Sequence, residues 1–251
     1  MATLDEIVSF LDRELKTATI PDYPGAVNGL QLSNPGPVGR IIAAVDASLS
    51  VVREAAEGGP GLLIVHHGMF WQGAQPVTGA FYKKLKIAMD AGLAIYSSHL
   101  PLDVHPEWGN NILLARAIGM TGIEPFLDHK GIMVGLKGEW AGTRSDLGDV
   151  LQKVLEGEVH LCPGGDKTIS KVGLVTGGAG GDVARVASAG VDCFITGEGP
   201  HWSYILAEEL GLNVFYGGHY ATETFGVKEL AKRMSEKFAI PWRFVSHPSG
   251  M

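Results

Sequence analysis

The strongest constraint on this chain is internal: a strand–helix–strand run in its first half returns in its second. AVDASLSVVREAAEGGPGLLIVHHG lies over GLVTGGAGGDVARVASAGVDCFITGEG, and AGLAIYSSHLPLD lies over LGLNVFYGGHYATE, with small adjustments. Self-similarity of this kind marks a duplicated supersecondary unit. In the first copy, 40–45, 61–65 and 93–96 are short apolar runs suited to strands buried on both faces. Helical spacing falls at 48–57 and 80–91. In the second copy, strands are expected at 172–176, 191–196 and 213–216, with helices at 182–189 and 201–210. Alternating strands and helices imply mainly parallel sheet with right-handed crossovers. The expected fold class is α/β, with two similar units: 1–124, a connecting insert 125–170, and 171–251. The insert holds a strand at 132–136 and a helix at 145–155 that Thr143 or Ser145 can cap. A long helix at 222–238 is closed by Pro241 and a last strand at 242–245. The halves are expected to pack together around one metal site.

Composition removes several classes. The chain has 251 residues, 45% hydrophobic and 19% charged, which excludes a disordered polymer. No apolar run reaches the roughly 18 residues needed to span a bilayer, and the acidic, amphipathic start MATLDEIVSFLDRELK lacks a signal-peptide pattern. A net charge of −7 argues against nucleic acid as a partner. Two cysteines, Cys162 and Cys193, can build neither a disulfide framework nor a four-cysteine zinc site. A cytoplasmic location and no membrane partner are the expectation.

Chemistry gathers beyond the carboxyl ends of strands in open α/β sheets, and here those exits carry His66-His67, His99, Glu198 and His219. Consecutive strand residues face opposite ways, but a turn at Gly68 lets both imidazoles of His66 and His67 face one cavity. The alternative is a core histidine beside a surface one. His219 and Glu223 stand at i,i+4 on one helical face, and imidazole with carboxylate suits a borderline divalent metal. A surface pair or a cap is the alternative. His99 and Asp103 repeat that spacing, although Asp103 would also serve as an N-cap for the following helix. The overlay aligns His99 with His219, Asp103 with Glu223, and His67 with Glu198, which draws the pairs toward a common centre. Five or more donors exceed one tetrahedral site and suit two ions sharing a carboxylate.

Weaker features stand beside these. The amides of the glycine-rich turn 177–181, between a strand and a helix, are placed to cradle a phosphate, but the turn lacks GxGxxG order and a Walker lysine and reads rather as a tight turn. Trp71 and Phe70 follow the HHG turn and are placed either to stack on a flat substrate or to pack the rim. His201 and Trp202 are candidates for pocket lining, and Cys193 reads as a core thiol.

VNGLQL, LLIVHHGMFWQG, SSHLPLDVHPEWGNN, VDCFITGE and GGHYATE, in this order from about residue 20 to residue 225, resemble the signature blocks of the YbgI-type dinuclear-metal-centre proteins. That NIF-like family is also known as GTP cyclohydrolase I type 2 homologues. The resemblance implies two divalent ions per chain (Zn, Fe, Mn, Co or Ni), with His66, His67, Asp103 and His219 as ligands and Glu223 bridging. It places His99 close by, and it implies a ring-shaped homohexamer built from dimers. The family name implies hydrolytic opening of the GTP imidazole ring with release of formate, so the implied partner is a small-molecule substrate such as GTP. His99 or Glu198 would supply a proton shuttle. A metal-dependent hydrolase, a non-catalytic metal-binding or regulatory protein, and a nucleic-acid-interacting ring remain as readings, the last disfavoured by charge.

Overall fold

The computed structural model describes residues 2–36 and 38–251; Met1, which opens the amphipathic segment above, lies outside them. The chain forms two compact units. One comprises the chain up to Leu102 with Gly226–His247, the other Asp103–Phe225 with Pro248–Met251. The strands are numbered β1–β11 along the chain.

The first unit holds β1 (Gly29–Leu32), β2 (Ile41–Asp46), β3 (Gly61–His67), β4 (Leu93–Ser97) and β11 (Trp242–Phe244) in the order β1-β4-β3-β2-β11. β4, β3, β2 and β11 run parallel, and only β1 pairs antiparallel, on β4. Helices Leu49–Ala56 and Gly79–Asp90 supply the crossovers. Ser48 caps the first by accepting the Val51 amide, and its Val51, Val52 and Ala55 pack on Ile42, Leu63, Val65 and Ile95. The near-continuous burial of β2, β3 and β4 is the pattern of a parallel sheet covered on both faces.

The second unit holds β5 (Thr121–His129), β6 (Ile132–Thr143), β7 (His160–Pro163), β8 (Thr168–Leu174), β9 (Cys193–Thr196) and β10 (Asn213–Tyr216), ordered β5-β6-β8-β9-β10-β7. β8, β9 and β10 form the expected parallel core. Antiparallel strands flank it: β5 and β6 on one side, β7 on the other. The segment read as a connecting insert, 125–170, is thus part of this sheet, because β6 pairs with β8 over much of its length. The division of the chain differs accordingly. Residues from Asp103 onward join the second unit, and the helix Thr224–Phe238 leads back into the first. Thr143, not Ser145, caps the helix Arg144–Leu155, in a reciprocal capping box with Asp146. Cys193 is a buried core thiol. No helix among the described residues is long and apolar enough to cross a membrane.

Candidate metal-ligating clusters

In the first unit the C-terminal ends of three adjacent parallel strands share one edge. β3 ends on His67, β4 delivers His99 two residues past its end, and β2 ends on Asp46, which lies opposite His67 in the register. The His66 and His67 ring centroids are 4.7 Å apart and those of His66 and His99 5.0 Å. One ring nitrogen from each of His66, His67 and His99 lies within 4.8 Å of the others. Both imidazoles of the HHG turn therefore face one place, as expected. Gly68 serves a different purpose from the one expected. It is not at positive φ; a Cβ there would meet the Gln31 amide at 2.2 Å.

Each of these histidines is oriented by an acceptor. Nδ1 of His66 donates to the Ser98 carbonyl at 2.9 Å, Nδ1 of His67 to Asp46 Oδ1 at 2.9 Å, and Nδ1 of His99 to Asp22 Oδ1 at 2.8 Å. A carbonyl or carboxylate oxygen can only accept, so the proton sits on Nδ1 and the Nε2 lone pair of a neutral ring is left to coordinate. A histidine whose second nitrogen is tied this way is the usual metal-ligating arrangement. Asp22 is itself fixed: it accepts the Tyr23 and Leu100 amides and the Asn28 side chain, and Asn28 Oδ1 accepts the His99 amide. Burial pushes the Asp22 carboxyl up, but the His99, Asn28 and Tyr23 hydrogen bonds outweigh it and hold its pKa below the ordinary value.

In the second unit the exits of β8, β9 and β10 carry the turn 177–181, Glu198 and His219. His219 lies between two carboxylates: Nδ1 donates to Glu198 Oε1 at 2.8 Å, and Nε2 is 3.3 Å from Glu223 Oε1. Burial disfavours its charge, but Glu223 and Glu198 together outweigh that and raise its pKa to about 9. The glycine-rich turn is a tight turn, as expected. Gly177 has φ +71°, and a Cβ there would meet Glu223 Oε1 at 2.2 Å; its amide donates to Thr222 Oγ1. Asp103 is buried and accepts from Asn110 Nδ2 at 2.8 Å. Among the described residues it forms no three-donor group with His219 and Glu223.

Four positioning residues escaped the sequence reading. Asp46 was findable, since it too stands at a strand exit. Asp22 was not, because 77 residues separate it from His99. Asn28 and Gln31 lie in the VNGLQL block, and the structure gives that block a purpose. Asn28 holds Asp22 and His99, while Gln31 accepts the Met69 amide and donates to the Ala26 and Val27 carbonyls. Of the two aromatics after HHG, Trp71 stands against His67 and His99, whereas Phe70 packs on Phe81. His201 and Trp202 are exposed.

Fold and site together define an α/β protein of two sheet units whose strand exits carry donor groups able to hold divalent metal. The chain belongs to the Duf34/NIF3 (NGG1p interacting factor 3) family, whose model matches residues 2–248. It is 41% identical to a GTP cyclohydrolase 1 type 2 homolog of Deinococcus radiodurans, over 98% of this chain and 94% of that one. A protein of the same name from Pyrococcus abyssi is 40% identical over 98% and 99% of the two chains. Among solved structures, TTHA1606 from Thermus thermophilus superposes with a TM-score of 0.91 at 36% identity, and protein ybgI with 0.92 at 32%; both alignments cover 100% of each chain.

Proposed function

We propose that this chain binds two divalent ions and is a metal-dependent hydrolase acting on a small molecule, with GTP ring opening and formate release as the candidate reaction. The observation that carries the metal reading is the tautomer pattern of the proposed histidine ligands: His66, His67 and His219 each have Nδ1 tied to an acceptor, which turns Nε2 to coordination. Imidazole and carboxylate donors suit Zn, Fe, Mn, Co or Ni. The proposed ligands are His66, His67, Asp103, His219 and Glu223, with Glu223 shared by both ions, on the positions matching the family's blocks. Bound divalent ions supply Lewis acidity for a substrate oxygen and acidify water. The chain's own residues do the rest. His99, backed by Asp22, is a histidine–carboxylate pair suited to take up and return a proton through Nε2. Glu198 orients His219 and is the second proton-handling group. The names of the curated relatives support the reaction class, and a homohexamer in the cytoplasm completes the proposal.

Elemental analysis of protein purified without chelator should give about two ions per chain. Formate release from GTP, followed beside a panel of cyclic amides and phosphoesters, should vanish with chelator and return with Mn, Zn, Fe or Co. His66→Ala and His67→Ala should lose metal and turnover together. His99→Ala should cut turnover by about 10²–10⁴-fold, with a smaller effect on metal. Glu223→Gln should lower metal content more than Glu198→Gln. Metal-replete wild type inert toward the whole panel would move the non-catalytic metal-binding reading ahead.

A further inference from the structure

The rim of the histidine cluster in the first unit is aromatic and held in place. Trp71 and His99 meet nearly at right angles, with centroids 4.8 Å apart and planes at 82°, and Trp71 and His67 do so at 5.7 Å and 79°. Tyr23 lies 6.0 Å from His99 and 6.5 Å from Trp71. These separations are those of interacting ring pairs. Yet both large rings stay open to solvent, Trp71 39% and Tyr23 47% exposed.

The two loops carrying these rings are fastened to each other. Gln31 accepts the Met69 amide at 2.7 Å and donates to the Val27 carbonyl at 2.9 Å and the Ala26 carbonyl at 3.1 Å, so one side chain bridges the 68–71 turn and the 23–28 loop. Gly25 lets the backbones close up: a Cβ there would lie 2.9 Å from the Trp71 Cα and carbonyl oxygen. Tyr23 in turn follows Asp22, whose carboxylate accepts the Tyr23 amide and the His99 Nδ1 proton. Ring wall and histidine are therefore mounted on one hydrogen-bonded frame. A preorganised aromatic face costs little ordering on binding, and its π surface takes any flat unsaturated ring with little regard to the substituents at its edge.

We propose that Trp71, flanked by Tyr23 with its plane tilted 50° away, is the ring-binding wall of this site, Trp71 stacking a planar heteroaromatic ring beside His99 and Tyr23 contacting the edge of that ring. This rests on the reading of the site as one that acts on a small molecule, and it names the part of the substrate that is recognised. Affinity then lies in the ring rather than in a phosphate tail. Trp71 and Tyr23 select for a flat ring and take no part in metal binding.

Calorimetric titration of metal-replete protein with guanosine 5′-monophosphate and, separately, ribose 5-phosphate tests this. Wild type should bind the nucleotide at least about ten-fold more tightly than the sugar phosphate. Loss of one stacking partner in Trp71→Leu should weaken nucleotide binding by about ten-fold or more. Trp71→Phe should restore most of it, Tyr23→Leu should show a smaller loss, and all three variants should keep the wild-type metal content. Equal nucleotide affinity in wild type and Trp71→Leu overturns the proposal. So does sugar phosphate bound as tightly as nucleotide, or nucleotide not bound by the metal-replete wild type. Turnover is judged separately. Nucleotide bound through Trp71 without hydrolysis keeps the wall and removes the hydrolase, whereas hydrolysis with a KM indifferent to Trp71 does the reverse.

Discussion

A histidine becomes a useful ligand when its other nitrogen is held, and each candidate here is held by a different group: a backbone carbonyl for His66, and Asp46, Asp22 and Glu198 for His67, His99 and His219. Replacing Asp46 by Asn removes the charged acceptor that orients His67. Asp46→Asn should weaken metal retention by about 10–100-fold in competition with a chelator. Asp46 is half-buried at the end of β2, and an asparagine there keeps an acceptor for His67 Nδ1, so the unfolding midpoint of the metal-free protein should hardly move. His219 makes a pH prediction. Its folded pKa of about 9 lies above the ordinary 6.5 because Glu223 and Glu198 outweigh burial. The protonated ring therefore stabilises the metal-free fold fully below pH 6.5, and that stabilisation is lost as pH rises through about 9. Urea unfolding of chelated wild type and His219→Gln should differ most near pH 6 and converge above pH 9. A gap that widens with pH would contradict the two-carboxylate account.

At the scale of elements, the parallel strands were legible because burial on both faces writes unbroken apolar runs, IIAAV, GLLIV and CFIT among them. The strand exits followed, and with them His66, His67, His99, Glu198 and His219. What the sequence concealed was the antiparallel edge. β5 reads TGIEPFLDH, with Pro125 inside it and only Phe126 and Leu127 buried. An edge strand tolerates proline and needs no clean alternation, so periodicity gives no signal there. β6, although paired on both sides, was visible only over its first residues because its burial is intermediate along most of its length. Loop-borne partners such as Asp22 and Gln31 follow no period and become visible only once the fold brings 22–31 to the ends of β3 and β4. The capping box tests the element directly. Thr143→Ala removes the acceptor for the Asp146 amide and the hydroxyl that donates to Asp146 Oδ2, while the backbone amide at 143 keeps its bond to that carboxylate. It should destabilise the chain by about 1 kcal/mol, read as a lower midpoint in chemical unfolding. Metal content should be unaffected, because the cap serves the helix Arg144–Leu155 and carries none of the donors.

Across the whole molecule, the proposed ligands come from both compact units, His66 and His67 from the first and Asp103, His219 and Glu223 from the second. An ion that binds only the folded chain stabilises it by about 2.7 kcal/mol at a hundred-fold excess over Kd, so chelation should lower the thermal midpoint. The more telling comparison is between variants. If both ions depend on ligands from the two units, His67→Ala and Glu223→Gln should each abolish most of the metal-induced shift, and combining them should add little, since coupled sites are not additive. If each unit instead keeps an ion of its own, each variant should remove about half the shift and the double variant should remove all of it. The metal-free midpoints serve as the reference, because His219 and Glu223 interact without an ion and Glu223→Gln changes the apo fold as well. The first pattern would tie folding of the N-terminal and C-terminal copies to one shared metal inventory.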